Sequence, residues 1–182
     1  MSTGLFYLNE TDFAIKETQK GKSICVGLDG YSLVLFYSTK CQHCQTLIPI
    51  FKKLPQRVGG CTFAMVNVSQ NKGLIAKSAT TRSPIKYVPL LILHIDGEPY
   101  MRYDGPHKIE EIKRFVIEIA QKVSKSKQPQ SNNQTAMSEQ VKKDIPAYTI
   151  GRPKNAGEIN EVCYLGFDSA YVTKWFFIIF FK

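Results

Sequence analysis

Two cysteines separated by two residues stand in the stretch STKCQHCQTLIPIF, residues 38–51. Such a pair can be half of a tetrahedral metal site, a redox dithiol, or a chance spacing. A structural zinc site takes four ligands, typically two such pairs, or one pair with two histidines three to five residues apart. This chain has one Cys-x-x-Cys pair. His94 and His107 are too widely spaced to complete it, and Cys25, Cys61 and Cys163 are isolated in sequence. The expectation is therefore no metal and no bound cofactor. Elemental analysis of the pure protein checks the metal alternative.

A redox dithiol needs a position that favours thiolate over thiol, because the thiolate is the nucleophile. The start of a helix supplies one, through its free N–H groups and partial positive charge. The run SLVLFYS, 32–38, is apolar and rich in strand formers, as a doubly covered central strand is. After Cys41 the period changes. Cys44, Leu47, Ile48, Phe51 and Leu54 recur at steps of three and four, which predicts a helix beginning at the pair, with Pro49 kinking it. The pair thus lies between a buried strand and a helix start. Cys41, first and nearer the surface, is the expected attacking thiolate. Cys44, one turn further in, is the expected resolving thiol. Lys40 and His43 are the candidates for tuning the thiolate.

The other elements follow from periodicity and turn chemistry. GLFYLNETDF, 4–13, reads as a strand and turn, and AIKETQKGKS, 14–23, as a helix stopping at Gly21. CTFAMVNVS reads as a strand, NKGLIAKSAT as a short helix, and YVPLLILHI, 87–95, as a strand. Asp96-Gly97 signals a hairpin turn. Ile109, Ile112, Phe115, Val116, Ile119 and Val123 form one stripe of an amphipathic helix over 107–123. The expected order is β, α, β, α, β, α, β, β, α, an α/β domain over residues 1–123 closed by an antiparallel hairpin. Residues 124–147 read as a flexible polar linker. Residues 148–182 read as a tail too short for its own core. The tail's apolar end, Trp175–Phe181, is far shorter than the roughly 20 residues a spanning helix needs, so no transmembrane segment is expected.

These features together resemble the thioredoxin superfamily over about residues 4–123. FYLNETDF is similar to the opening strand and turn, and LVLFYSTKCQHC to the central strand entering the active site. Pro49, five residues after Cys44, matches the kinking proline of the active-site helix. YVPLLILHIDGEPYMRYDG is similar to the strand, hairpin and glycine that follow. The resemblance implies a thioredoxin-like fold, with a central mixed sheet, a closing antiparallel hairpin and flanking helices. It implies a protein disulfide oxidoreductase working through Cys41 and Cys44. It also implies a cis bond at Val88–Pro89, with Val88, Pro89 and Gly105 on the substrate-binding surface. The partners implied are protein or peptide thiols and disulfides, and a reductase or sulfhydryl oxidase.

The sequence departs from the family pattern at several positions. Lys40 stands where thioredoxins usually carry tryptophan, and Gln42-His43 replaces Gly-Pro. A histidine in the third place resembles protein disulfide isomerases, where it stabilises the reduced thiolate and makes the disulfide more oxidising. The buried acid six residues before the first cysteine is replaced by Leu35, and its lysine partner by Met65. That acid assists deprotonation of the resolving thiol, so an apolar floor argues against an efficient general reductant. KSATTRSP, 77–84, is longer than the usual loop before the cis-proline. The competing reading is a binding or structural module that presents the peptide groove with little catalysis.

Composition narrows the setting. Of 182 residues, 43% are hydrophobic, enough for a packed core. The formal net charge of +9 is spread along the chain, and lysine outnumbers arginine 19 to 5. No basic run or aromatic–basic interleaving marks a nucleic-acid surface. Five cysteines, an odd and scattered set, do not make a secreted disulfide framework. The N-terminus lacks a basic segment followed by an apolar one, so no signal peptide is expected. The expected location is the cytoplasm. The Lys-, Ile- and Phe-rich composition suits an AT-rich genome such as that of a large cytoplasmic DNA virus, in which case the virion is the expected location.

Overall fold

The computed structural model describes residues 4–18, 21–126, 145, 147–148 and 163–164. Its centre is a six-stranded mixed sheet of order β1-β5-β4-β7-β8-β9. Strands β1 (Leu5–Leu8), β5 (Cys61–Asn67) and β4 (Tyr31–Tyr37) run parallel to one another. Strand β7 (Leu90–Ile95) is antiparallel to β4 and to β8 (Glu98–Tyr103). All five inner residues of β4, Ser32–Phe36, are buried, as a strand covered on both faces requires.

Each face carries its own apolar layer. Helices α1 (Gln42–Phe51) and α3 (Ile109–Ser126) cover one face, where Leu47, Phe51, Ile112, Phe115, Val116, Ile119 and Val123 meet Leu33, Leu35, Phe63 and Leu93. The stripe read on α3 is the stripe that packs. On the other face, α2 (Lys72–Ala79) and a separate hairpin of β2 (Phe13–Thr18) and β3 (Gly21–Val26) bring Leu74, Phe13, Ile24 and Val26 against Val34, Phe36, Ala64 and Ile92.

That hairpin replaces the helix expected over AIKETQKGKS. The segment's Lys, Glu and Gln favour helix locally, but its apolar groups do not repeat at helical spacing. Ser23, Ile24, Cys25 and Val26 are instead buried in succession at the end of β3. Pairing from Phe13↔Val26 to Thr18↔Gly21 satisfies the backbone, and tertiary burial overrides local propensity.

The Asp96-Gly97 turn forms as read, with positive φ at both residues, 51° and 80°. Gly97 also anchors β3, because Val26 N–H donates to its carbonyl at 2.9 Å. A Cβ there would lie 2.4 Å from the Val26 carbonyl oxygen. Gly97→Ala is therefore expected to cost about 2 kcal/mol, from the left-handed backbone plus displacement of β3. Urea denaturation checks this, and an unchanged midpoint contradicts it.

Of the segment read as a linker over 124–147, residues 127–144 and 146 lie outside the described residues, and the described ones belong to the domain. Helix α3 continues to Ser126. Ile145 is buried in the second layer, its N–H bonded to Arg82 O at 2.9 Å. Strand β9 (Ala147–Tyr148) joins the sheet parallel to β8. Strand β10 (Cys163–Tyr164) pairs antiparallel with β6 (Tyr87–Val88). Apolar Ile145 and the free edge of β8 explain why the chain docks there despite the polar run before it. The apolar stretch Trp175–Phe181 lies outside the described residues. Among the described residues no helix is long and apolar enough to cross a membrane.

Candidate active site

The cysteine pair sits where β4 gives way to α1. Cys41 is the N-cap of α1, with extended backbone at φ −93° and ψ 117°. Its N–H donates to Ser38 O and its carbonyl accepts from Gln45 N–H, each at 3.2 Å. Ser38 holds the approach to the helix. Its hydroxyl accepts from Lys40 N–H at 3.2 Å and shares a 2.7 Å hydrogen bond with Ser69 on the loop after β5. Cys44 falls one turn into the helix and is wholly buried, while Cys41 keeps 3% of its surface. Neither is in a disulfide. Pro49 lies inside α1, as read.

The second wall is the β6–β7 segment. The Val88–Pro89 bond is cis. The Cys41 thiol donates to the Val88 carbonyl at 3.6 Å across 47 residues of sequence. Gly105 joins the same neighbourhood through its loop. Asp104 accepts from Tyr87 Oη at 3.1 Å and from Arg102 Nε at 3.2 Å, tying the end of β8 to the residue before Val88. A Cβ on Gly105 would meet the ring of Tyr103 at 2.6 Å. Tyr103 is itself fixed by its hydroxyl donating to Pro106 O at 2.7 Å. Gly105 is thus required by the tyrosine beside it, a reason that the sequence did not reveal.

Of the residues read as tuning groups, His43 is half-buried, and its carbonyl accepts from Thr46 Oγ1 at 2.9 Å. Lys40 is exposed beside the pair. Cys41, Cys44, Val88 and Pro89 therefore form one cluster, with His43 and Lys40 at its margin and Gly105 joined through Asp104.

Leu35 and Met65, the apolar replacements for an acid and a lysine, are direct register partners on β4 and β5, and both are fully buried. Among the described residues the buried polar groups are serines, a threonine, Asn67 and His94, with no carboxylate. The floor at these two positions is therefore apolar. This also separates the site from one built around a buried charge.

The remaining described thiols lie elsewhere. Cys61 starts β5 opposite Tyr31, at the end of the sheet away from the pair. Burial pushes its pKa up to about 12, which keeps it protonated. Cys25 lies in the β2–β3 hairpin. Its pKa is raised, first by burial and then by the nearby Glu98 carboxylate. Both behave as small core hydrophobes. An open apolar hollow of about 350 Å³ adjoins Cys61, bounded also by Tyr31, Val58, Val116 and Ala120. Its thiol is the one that burial holds protonated. No group of three or more metal-ligating side chains is present among the described residues.

Sequence reasoning missed one feature of this site. Strand β10 lies along β6 with Cys163 opposite Val88 and Tyr164 opposite Tyr87. Nothing in a two-residue strand announces its partner across more than seventy residues.

The chain is similar to several known proteins. The chain is 30% identical over 174 residues to an uncharacterized protein, 196R, of Invertebrate iridescent virus 6, covering 92% of this chain and 93% of that one. It is 31% identical over 177 residues to an uncharacterized protein, 020R, of Invertebrate iridescent virus 3, covering 94% and 98%. Both alignments extend beyond residue 123 into the C-terminal segment. It is also 29% identical over 116 residues to a probable protein disulfide-isomerase A6 of Medicago sativa, covering 62% of this chain and 30% of that longer protein. The thioredoxin family model matches residues 18–118, more than half of the chain, and the protein belongs to the thioredoxin family.

Proposed function

We propose that the protein is a thiol–disulfide oxidoreductase acting on cysteines of other proteins. The observation that carries this reading is the Cys41 thiol at the start of α1, 3.6 Å from the carbonyl of Val88, with Cys44 one helical turn behind. In the oxidising direction a substrate thiolate attacks Cys41 Sγ of the Cys41–Cys44 disulfide. The Cys41–Cys44 bond breaks, a mixed disulfide to Cys41 forms, and Cys44 leaves as thiolate and takes up a proton. A second substrate thiolate then attacks its partner sulfur and releases reduced Cys41. Reduction of a substrate disulfide is the reverse, with Cys41 attacking and Cys44 resolving. The edge Tyr87–Val88, with Pro89 and Gly105 beside it, is the surface on which an extended substrate lies.

His43 next to the resolving thiol, and the lack of a buried carboxylate among the described residues, support disulfide donation or isomerisation over general reduction. The cytoplasm or virion of a large DNA virus is the proposed setting, in keeping with the two iridescent-virus relatives.

The test is turnover of a cysteine-containing peptide in a glutathione buffer, with the potential of the pair read in the same buffer. Rate acceleration is expected, with a potential nearer about −180 mV than about −270 mV. No acceleration over glutathione alone overturns the oxidoreductase reading, and a potential near about −270 mV overturns the oxidising direction. A second reading, a binding module, is favoured by the strand already pairing with Tyr87–Val88. Peptide binding by a Cys41→Ser/Cys44→Ser double variant, without wild-type turnover, supports it.

A further inference from the structure

Strand β10 occupies the edge beside the cysteine pair. It runs antiparallel to β6, and its register sets Cys163 opposite Val88. Val88 is also the residue whose carbonyl accepts the Cys41 thiol at 3.6 Å. Cα atoms of opposed residues in an antiparallel pair lie about 4.5–5.5 Å apart. One residue, Val88, is therefore the neighbour of both Cys41 and Cys163. Two cysteines far apart in sequence thus share Val88 as a neighbour, one through register and one through a hydrogen bond. The mode is β-strand addition, in which main-chain hydrogen bonds give affinity and alternate side chains give specificity. Here the added strand belongs to the same chain, so it competes at an effective concentration of order millimolar.

We propose that Cys163 is a third redox cysteine, an internal substrate held at the peptide edge, which exchanges with Cys41 to give a Cys41–Cys163 disulfide. This rests on the oxidoreductase reading above and extends it to the C-terminal segment. The Cys163 thiolate attacks Cys41 Sγ of the Cys41–Cys44 disulfide. The Cys163–Cys41 bond forms, the Cys41–Cys44 bond breaks, and Cys44 leaves as thiolate and takes the proton that Cys163 gave up. Electrons balance without an external oxidant, because one disulfide is exchanged for another. An external substrate reaches Cys41 by displacing β10 or by attacking the Cys41–Cys163 disulfide. In the latter route the tail carries the oxidising equivalent out of the pair. Neither Cys25 nor Cys61 can substitute, since burial holds both thiols protonated in the core.

The test uses the full chain carrying Cys44→Ser. Oxidised glutathione forms a mixed disulfide at Cys41, and Cys163 then displaces glutathione from it. After quenching with N-ethylmaleimide, trypsin cuts after Lys40, Lys52, Lys154 and Lys174, so that peptides 41–52 and 155–174 each carry one of the two cysteines. Mass spectrometry without reduction is expected to find these peptides joined in most of the monomeric protein. Adding Cys163→Ser should abolish the link and leave glutathione on Cys41. Glutathione retained on Cys41 while Cys163 is alkylated overturns the proposal, as does a link found only in dimers. Wild-type protein in the same buffer separates the two readings. If it forms the Cys41–Cys44 disulfide and turns over peptide while Cys44→Ser gives no link, only the role of Cys163 fails. If the wild type does neither, the oxidoreductase reading fails and this proposal falls with it.

Discussion

Replacing Cys41 by serine is expected to lower disulfide exchange about 1000-fold or more, because the variant has lost the nucleophile itself. A hydroxyl at this position stays protonated at neutral pH and cannot form a disulfide. The substitution is nearly isosteric, and a hydroxyl can donate to the Val88 carbonyl as the thiol does. The site geometry and the fold should therefore survive, and circular dichroism should overlay that of the wild type. Cys44→Ser should behave differently. Its Cys41 still attacks or is attacked, so with Cys163→Ser added to remove the internal thiol, a mixed disulfide with added peptide forms but is not resolved by Cys44. The contrast assigns the two roles. Loss of exchange in Cys41→Ser with trapping in Cys44→Ser/Cys163→Ser is the expected pattern. Equal trapping by both variants would show that order along the helix does not set the roles, and undiminished turnover by Cys41→Ser would remove the pair from the chemistry.

The elements that position this pair were legible because their signals are local. The apolar run of β4, the three-and-four spacing from Cys44 to Phe51 and the stripe of α3 each read directly as the element they form. Leu35 and Met65 were matched only by counting along the chain, and the strands place them side by side in register. The failures share one physical cause. AIKETQKGKS has helix-favouring composition and becomes a hairpin because β2 and β3 pair and bury Ile24 and Val26 against the sheet. Cys163 looked isolated because its partner, Val88, is set by long-range pairing. Gly105 was read for the open surface beside it, and the atoms that demand glycine are those of the Tyr103 ring. Local pattern names an element. Which side chains meet across elements is decided by packing, which a single sequence does not list.

Acidification is expected to weaken the fold through His94, far from the cysteines in function and opposite Ser32 in the β4–β7 pairing. His94 has no exposed surface. Its Nδ1 is 3.1 Å from Ile92 O, while its Nε2 and the Ser32 hydroxyl have no hydrogen-bond partner among the described residues. Burial disfavours the imidazolium and pushes the pKa down to about 4, against a smaller opposing effect of the Ile92 carbonyl. The unfolded chain takes up this proton near the ordinary histidine value of about 6.5. Between these values the unfolded state binds more protons, so stability rises with pH across the window. The contribution is complete above about pH 6.5 and is lost as pH falls towards 4. Between pH 7.5 and 4.5 it amounts to about 2–3 kcal/mol, a large share of a typical domain's stability. Carboxylates and the other histidines add slopes of their own, so the measurement is a difference. Urea denaturation of wild type and His94→Leu is followed at both pH values. Leucine is close in volume and does not titrate, so the variant should lose about 2–3 kcal/mol less than the wild type on acidification, whatever its absolute stability. Parallel losses in the two proteins would mean that His94 accepts its proton without unfolding the sheet around it.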